Sequence, residues 1–146
     1  MKTNALDLTK EPPRSPRNTS IAGYVVAARA LDKCRAAIAG TIGEYKSGCP
    51  LDNFWLEFVG VSYDSFRSHV QTGASDAEVS SWIVANASKH TRAEIIQWNN
   101  DMRFKRISEL PAALQEFLED YIPKFIPKGR VVYCWFDVYD LEEGRL

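Results

Sequence analysis

IAGYVVAARALDKCRAAIAGTIGEY, residues 21–45, decides the fold. At about 100° per residue, Ile21, Tyr24, Val25, Ala28, Leu31, Ile38 and Ala39 fall on one arc of an α-helix. Val26, Ala30, Lys33 and Ala37 occupy the opposite arc, a small-residue face broken by one lysine. Ser20 is placed to cap the helix start, and Gly40 to end it in the left-handed conformation. The pattern therefore predicts one long helix from Ile21 to Ala39.

Charges interrupt that apolar arc. Asp32 and Arg35 stand three apart within it, close enough to meet, and Arg29 sits at its edge. A charge removed from water must be paired or neutralised. One reading is a structural ion pair that fixes the helix. The other is a pocket wall, with Arg29 or Arg35 holding an anion and Asp32 orienting it or moving a proton. Gly40 and Gly43 then let the chain turn back, delivering Glu44 and Tyr45 near the helix end. No lysine-serine or lysine-threonine pair follows, so this is not a phosphate loop.

Working outward, residues 1–19 form an extended, proline-rich arm, with Pro12, Pro13 and Pro16 fixing φ and removing donors. Leu6 and Leu8 are its candidate anchors, and Arg14 and Arg17 its candidate partners for carboxylates. Residues 20–146 make up a single helical domain. After Tyr45, Asp52 caps a short core helix carrying Phe54, Trp55, Leu56, Phe58 and Val59, closed by Gly60. Cys49 stands at that helix start as a candidate thiolate, without a histidine at any catalytic spacing. A helix with Tyr63, Phe66 and Val70 inward follows.

Two capping boxes come next, Ser75 with Glu78 and Thr91 with Glu94, each followed by an aliphatic residue and a tryptophan, Trp82 and Trp98. Ser108 opens the last clear helix, whose stripe runs through Leu114, Phe117, Leu118, Tyr121 and Ile122 until Pro123 stops it. The tail from Val131 has strand-like aromatic and β-branched content, but Asp137, Asp140 and Gly144 suit a helix. It reads as an irregular extended segment running into a helical turn. The whole is a mainly α single-domain bundle of about six helices.

The totals exclude several classes. At 146 residues, with 45% hydrophobic and 25% charged residues, the chain has the balance of an ordinary globular protein with one core. No apolar run approaches the roughly 20 residues of a membrane span, and no signal-peptide core is present, so no membrane partner is expected and the location is read as cytoplasmic. Cys34, Cys49 and Cys134 form no disulfide framework. His69 and His90 belong to no metal motif, no cofactor motif occurs, and a net charge of −1 gives nothing to recruit nucleic acid. Basic residues prevail in the first fifty positions and acidic ones from Ile107 onward, which suggests that the two ends meet.

Taken together, LTKEPPRSPR, ALDKCRAAIAG, GTIGEY, CPLD, EVSSW, the Trp98-Asn99 pair and FDVYDLEEGR resemble a bacterial family of unknown function, the one numbered 5069, in the same order and over nearly the whole chain. The resemblance implies a small, soluble, single-domain bacterial protein, and no activity. From the residues themselves two functions compete. One is a small-molecule site for an anionic or zwitterionic ligand, built from Arg29, Asp32, Arg35, Glu44 and Tyr45, with Asp137 and Asp140 from the tail. The other is a non-catalytic interaction module or homo-oligomer, suggested by four tryptophans, seven phenylalanines and six tyrosines in so small a chain. No reaction is defined by either.

Overall fold

A computed structural model describes residues 5–146. The fold is mainly α, with seven α-helices and one short 3-10 turn, and no strand, among the described residues. Two compact units divide the chain, Met1–Ile95 and Ile96–Leu146.

The first unit is organised by α1 (Ala27–Ala39), followed by α2 (Pro50–Val59), α3 (Tyr63–Val70) and α4 (Asp76–Asn86). Helix α1 is six residues shorter than its pattern predicted, and Ser20 does not cap it. The physical reason is the backbone of Ile21–Val26: Ala22, Gly23 and Val26 have φ of 52°, 82° and 74°. These residues form a tight turn in which the Tyr24 amide donates to the Ile21 carbonyl at 3.1 Å. The arm stitches the turn down, since the Val26 amide donates to the Pro16 carbonyl at 2.8 Å. Ile21, Val25 and Val26 are wholly buried, so the apolar pattern recorded burial rather than helix. At φ 74° and ψ −37° Val26 lies outside the regions open to a β-branched residue, a strain of roughly 1–3 kcal/mol that its burial offsets.

At the other end Gly40 takes the left-handed cap as expected, φ 78°, and its amide bonds back to Ala36 and Ala37. Just beyond, Thr41 receives the arm: the Leu8 amide donates to the Thr41 carbonyl, and the Thr41 hydroxyl donates to the Leu6 carbonyl, each at 2.8 Å. Leu8, Pro13 and Pro16 are buried. Through these three residues the arm is anchored in the first unit's core.

Trp55 of α2 centres that core, edge-on to Tyr24 at 6.3 Å and to Phe66 of α3 at 5.3 Å. Both capping boxes form, Ser75–Glu78 and Thr91–Glu94, each with reciprocal bonds. Their tryptophans are only half-buried, however, and Trp82 stacks on His69 at 4.8 Å. Gly60 ends α2 with φ +71°, the conformation that calls for glycine; a Cβ there would also push the Ser88 hydroxyl, 2.5 Å away, into another rotamer.

The second unit holds most of α5 (Arg92–Arg103), then α6 (Ala112–Phe125) and α7 (Trp135–Glu142). Pro123 does not stop α6, which runs two residues further to Phe125. Lying in the last turn, it removes only one amide from a helix about to end. The tail is also corrected: residues 135–142 are regular helix rather than an irregular segment. Asp137 nucleates it by accepting the Tyr133 and Cys134 amides, both at 2.9 Å. Trp135, Phe136, Val138 and Leu141 are buried, which explains why the segment is as apolar as a strand.

Candidate functional site

Helix α1 carries four charges within two turns, Arg29, Asp32, Lys33 and Arg35, and the fold sends them to different partners. Asp32 and Arg35 do not pair with each other directly. Asp32, 5% exposed at its side chain, is gripped by Arg14 of the arm. The Arg14 Nε and Nη2 atoms each donate at 3.0 Å to its two oxygens, and the Arg14 amide donates to it at 2.8 Å. Arg14 also reaches the carboxylate of Asp76, Nη1 to Oδ2 at 2.9 Å. On the other oxygen of Asp76 sits Arg35, Nη1 to Oδ1 at 2.8 Å, while Arg35 Nη2 donates to the Ala74 carbonyl at 2.9 Å.

The result is an alternating chain, Asp32–Arg14–Asp76–Arg35, that ties the arm to α1 and to the first turn of α4. Burial alone would lower the pKa of Arg14, but the hydrogen bonds to Asp32 and Asp76 prevail and hold it above its ordinary value. Burial alone would likewise raise Asp76, and here the bonds from Arg14 and Arg35 prevail and hold it below the usual carboxylate range.

Arg29 lies deeper, 2% exposed, with Nη1 donating to the Arg14 carbonyl at 3.3 Å. Its guanidinium carbon stands 5.6 Å from the centre of the Tyr45 ring, a cation–π contact made possible by the turn at Gly43. Glu44 is exposed on that same turn. Asp137 and Asp140 belong to the second unit, Asp137 as the third-position partner of the Cys134 cap and Asp140 accepting from Arg145 at 3.3 Å.

A second buried pair escaped the sequence. Lys33, on the small-residue face of α1, places Nζ 2.9 Å from Asp52 Oδ1, with side chains 4% and 2% exposed. The approach is off the angle of a hydrogen bond, so the attraction is one of charge. Nζ also lies 3.0 Å from the sulfur of Cys49. Asp52 is not the helix cap: Cys49 takes that position, and Asp52 Oδ2 accepts the Gly48 amide at 2.9 Å instead. The signal was present, since a lysine on a face of alanines must find an acid if it is buried.

Arg35 has one further property. Its Nε has no hydrogen-bond partner among the described residues, and its side chain is 10% exposed. It lines a cavity of about 110 Å³ whose other walls include Ala5, Ile38, Ala39, Val70 and Gly73.

These features define a mainly α protein whose N-terminal arm is locked to its first long helix by buried charge. The chain belongs to the family described as Domain of unknown function (DUF5069), whose model matches residues 10–145. No curated protein matches it.

Proposed function

We propose that the protein binds a small ligand bearing a carboxylate, with the acid group on Arg35 and its hydrocarbon part against Ile38, Ala39 and Val70. The observation that carries this reading is the Nε–H of Arg35, nine-tenths buried, without an acceptor among the described residues, beside an apolar cavity. A buried donor left unmade costs about 1–3 kcal/mol, which a ligand oxygen would recover. The cavity, about 110 Å³, matches a short-chain monocarboxylate. Asp32 is taken up by Arg14, and Asp76, bonded by Arg14 and Arg35, aims Arg35 rather than meeting the ligand.

The test is calorimetric titration with acetate, propionate, butyrate and hexanoate. Saturable binding that peaks at one chain length, and is lost in Arg35→Gln and in the cavity-filling Ala39→Leu, is the expected result. Equal heats from all four acids, or binding unchanged in both variants, would sink the reading.

A second reading rests on a different observation. Phe117 and Phe125 of α6 are 58% and 51% exposed, and their rings flank Tyr121 at 5.4 and 4.4 Å. This row is apolar where a helix normally faces water. Glu116, Glu119 and Asp120 lie towards its N-terminal part, and Lys124, Lys128 and Arg130 lie beyond. A second copy packed antiparallel would set acid against base, so the row suits a weak homodimer. Sedimentation velocity should show a concentration-dependent dimer that Phe117→Glu abolishes; a monomer at all concentrations would exclude it.

A further inference from the structure

The three cysteines sit in three different settings. Cys34 is 0% exposed, and burial pushes its thiol up to about 11, so it stays protonated and out of reach. Cys134 is half-exposed in the second unit. Cys49 is also half-exposed, but its sulfur touches an amine, with Lys33 Nζ at 3.0 Å. An ammonium can only donate, so the sulfur is the acceptor of this contact and turns a lone pair towards the nitrogen. Lys33 in turn has little freedom to leave: it is 4% exposed at its side chain, rooted in the middle of α1 and held by Asp52. Whatever electrophile forms at Cys49 therefore meets this nitrogen first.

We propose that Cys49 is a modification site for hydrogen peroxide, and that Lys33 captures the oxidised sulfur in a covalent sulfur–nitrogen link. In the first step the sulfur attacks one peroxide oxygen. The O–O bond breaks, two electrons pass from sulfur to peroxide, and Cys49 becomes a sulfenic acid with release of one water. In the second step Lys33 gives one ammonium proton to the Asp52 carboxylate, and its lone pair attacks the sulfur. The sulfenic hydroxyl leaves as water with a second ammonium proton. The sulfenamide that remains keeps one hydrogen on nitrogen, and a thiol reductant reverses it. The link would tie α1 to the loop before α2, sixteen residues apart in sequence. It needs Lys33, Cys49 and the Asp52 carboxylate, and is independent of the Arg35 cavity.

The experiment is peptide mapping of the whole protein after peroxide, with remaining thiols blocked under denaturing conditions. The expected product is a joined pair of peptides from around Lys33 and Cys49, lighter by two hydrogens than their sum, uncut by trypsin at Lys33, and separated again by dithiothreitol. Cys134 should carry no such link, and Cys49→Ser should lose it while Cys34 and Cys134 react as before. Lys33→Met should abolish the link and let Cys49 run on to sulfinic acid. The proposal fails if wild-type Cys49 itself ends as sulfinic acid or as a disulfide while trypsin still cleaves at Lys33. Wild-type mapping alone decides this, whether or not the Lys33 variant folds.

Discussion

The guanidinium of Arg14 meets the carboxylate of Asp32 fork to fork, two bonds of 3.0 Å spanning eighteen residues of chain. Such bidentate pairs are the strong members of their class, and this one closes the arm onto α1. Arg14→Ala strands an acid that is 5% exposed, and should cost about 3–5 kcal/mol. Arg35→Ala strands only Asp76, which is 48% exposed and keeps Arg14, so roughly 1–2 kcal/mol is expected there. Urea melts of the two variants measure the difference. Equal losses would mean that Asp32 is not the keystone of the network.

Removing the same charges from the other buried pair tests a different property. Lys33 and Asp52 together leave water completely, so either Lys33→Met or Asp52→Leu alone should destabilise by about 3–5 kcal/mol. The double variant should recover much of that loss, because hydrophobic replacements of a buried pair are often neutral. The recovery will be partial, since Asp52 also holds the Gly48 amide. A double-mutant cycle by urea melt gives the coupling, and strict additivity would show that the two charges do not act together.

Much of this architecture is visible in the sequence because local rules and tertiary packing agree. The Ser75 and Thr91 capping boxes and the Gly40 and Gly60 caps each need only neighbours in the chain, whereas α2, read as apolar nearly all round, buries one face and exposes Asn53 and Glu57 on the other. Failures cluster where distant contacts overrule local preference. Ile21–Val26 has helical periodicity, yet Pro16 and Ser80 claim its amides and hold three residues at positive φ. Residues 131–142 have strand composition, yet Asp137 caps them into a helix. The charges followed the same division. That Asp32 and Arg35 would need partners was legible from their arc, but the partners lie 18 and 41 residues away, beyond any helical spacing.

Acid should loosen the arm network at Asp76. Its carboxyl is held below the ordinary value against the effect of burial, by hydrogen bonds from Arg14 and Arg35. A depressed folded-state pKa contributes stability that is complete above the unfolded value, about 3.9, and is lost as pH falls through the folded value. Stability measured by urea melts should therefore decline below about pH 4 more steeply in wild type than in Asp76→Asn. The contribution is modest, because Asp76 is half exposed and water screens it. Parallel curves for the two proteins would remove Asp76 from the acid response.

Alkaline pH should act on the opposite side of the same helix. Cys34 is sealed in the core of the first unit, 0% exposed, and burial pushes its thiol up to about 11. In the unfolded chain the thiol loses its proton near 8.5, so between these values the unfolded state binds fewer protons than the folded one. Stability from this group is complete below about pH 8.5 and drains away as pH rises towards the folded value. The full loss is on the order of 3 kcal/mol, at roughly 1.4 kcal/mol per unit. Cys34→Ala should start from a lower stability, because it leaves a small cavity, yet hold a flatter curve across this range. Urea melts at intervals from pH 8 to pH 10.5 provide the comparison. Equal slopes in both proteins would show that Cys34 does not govern the alkaline limb, and would turn attention to Tyr24, whose phenol is also raised by burial.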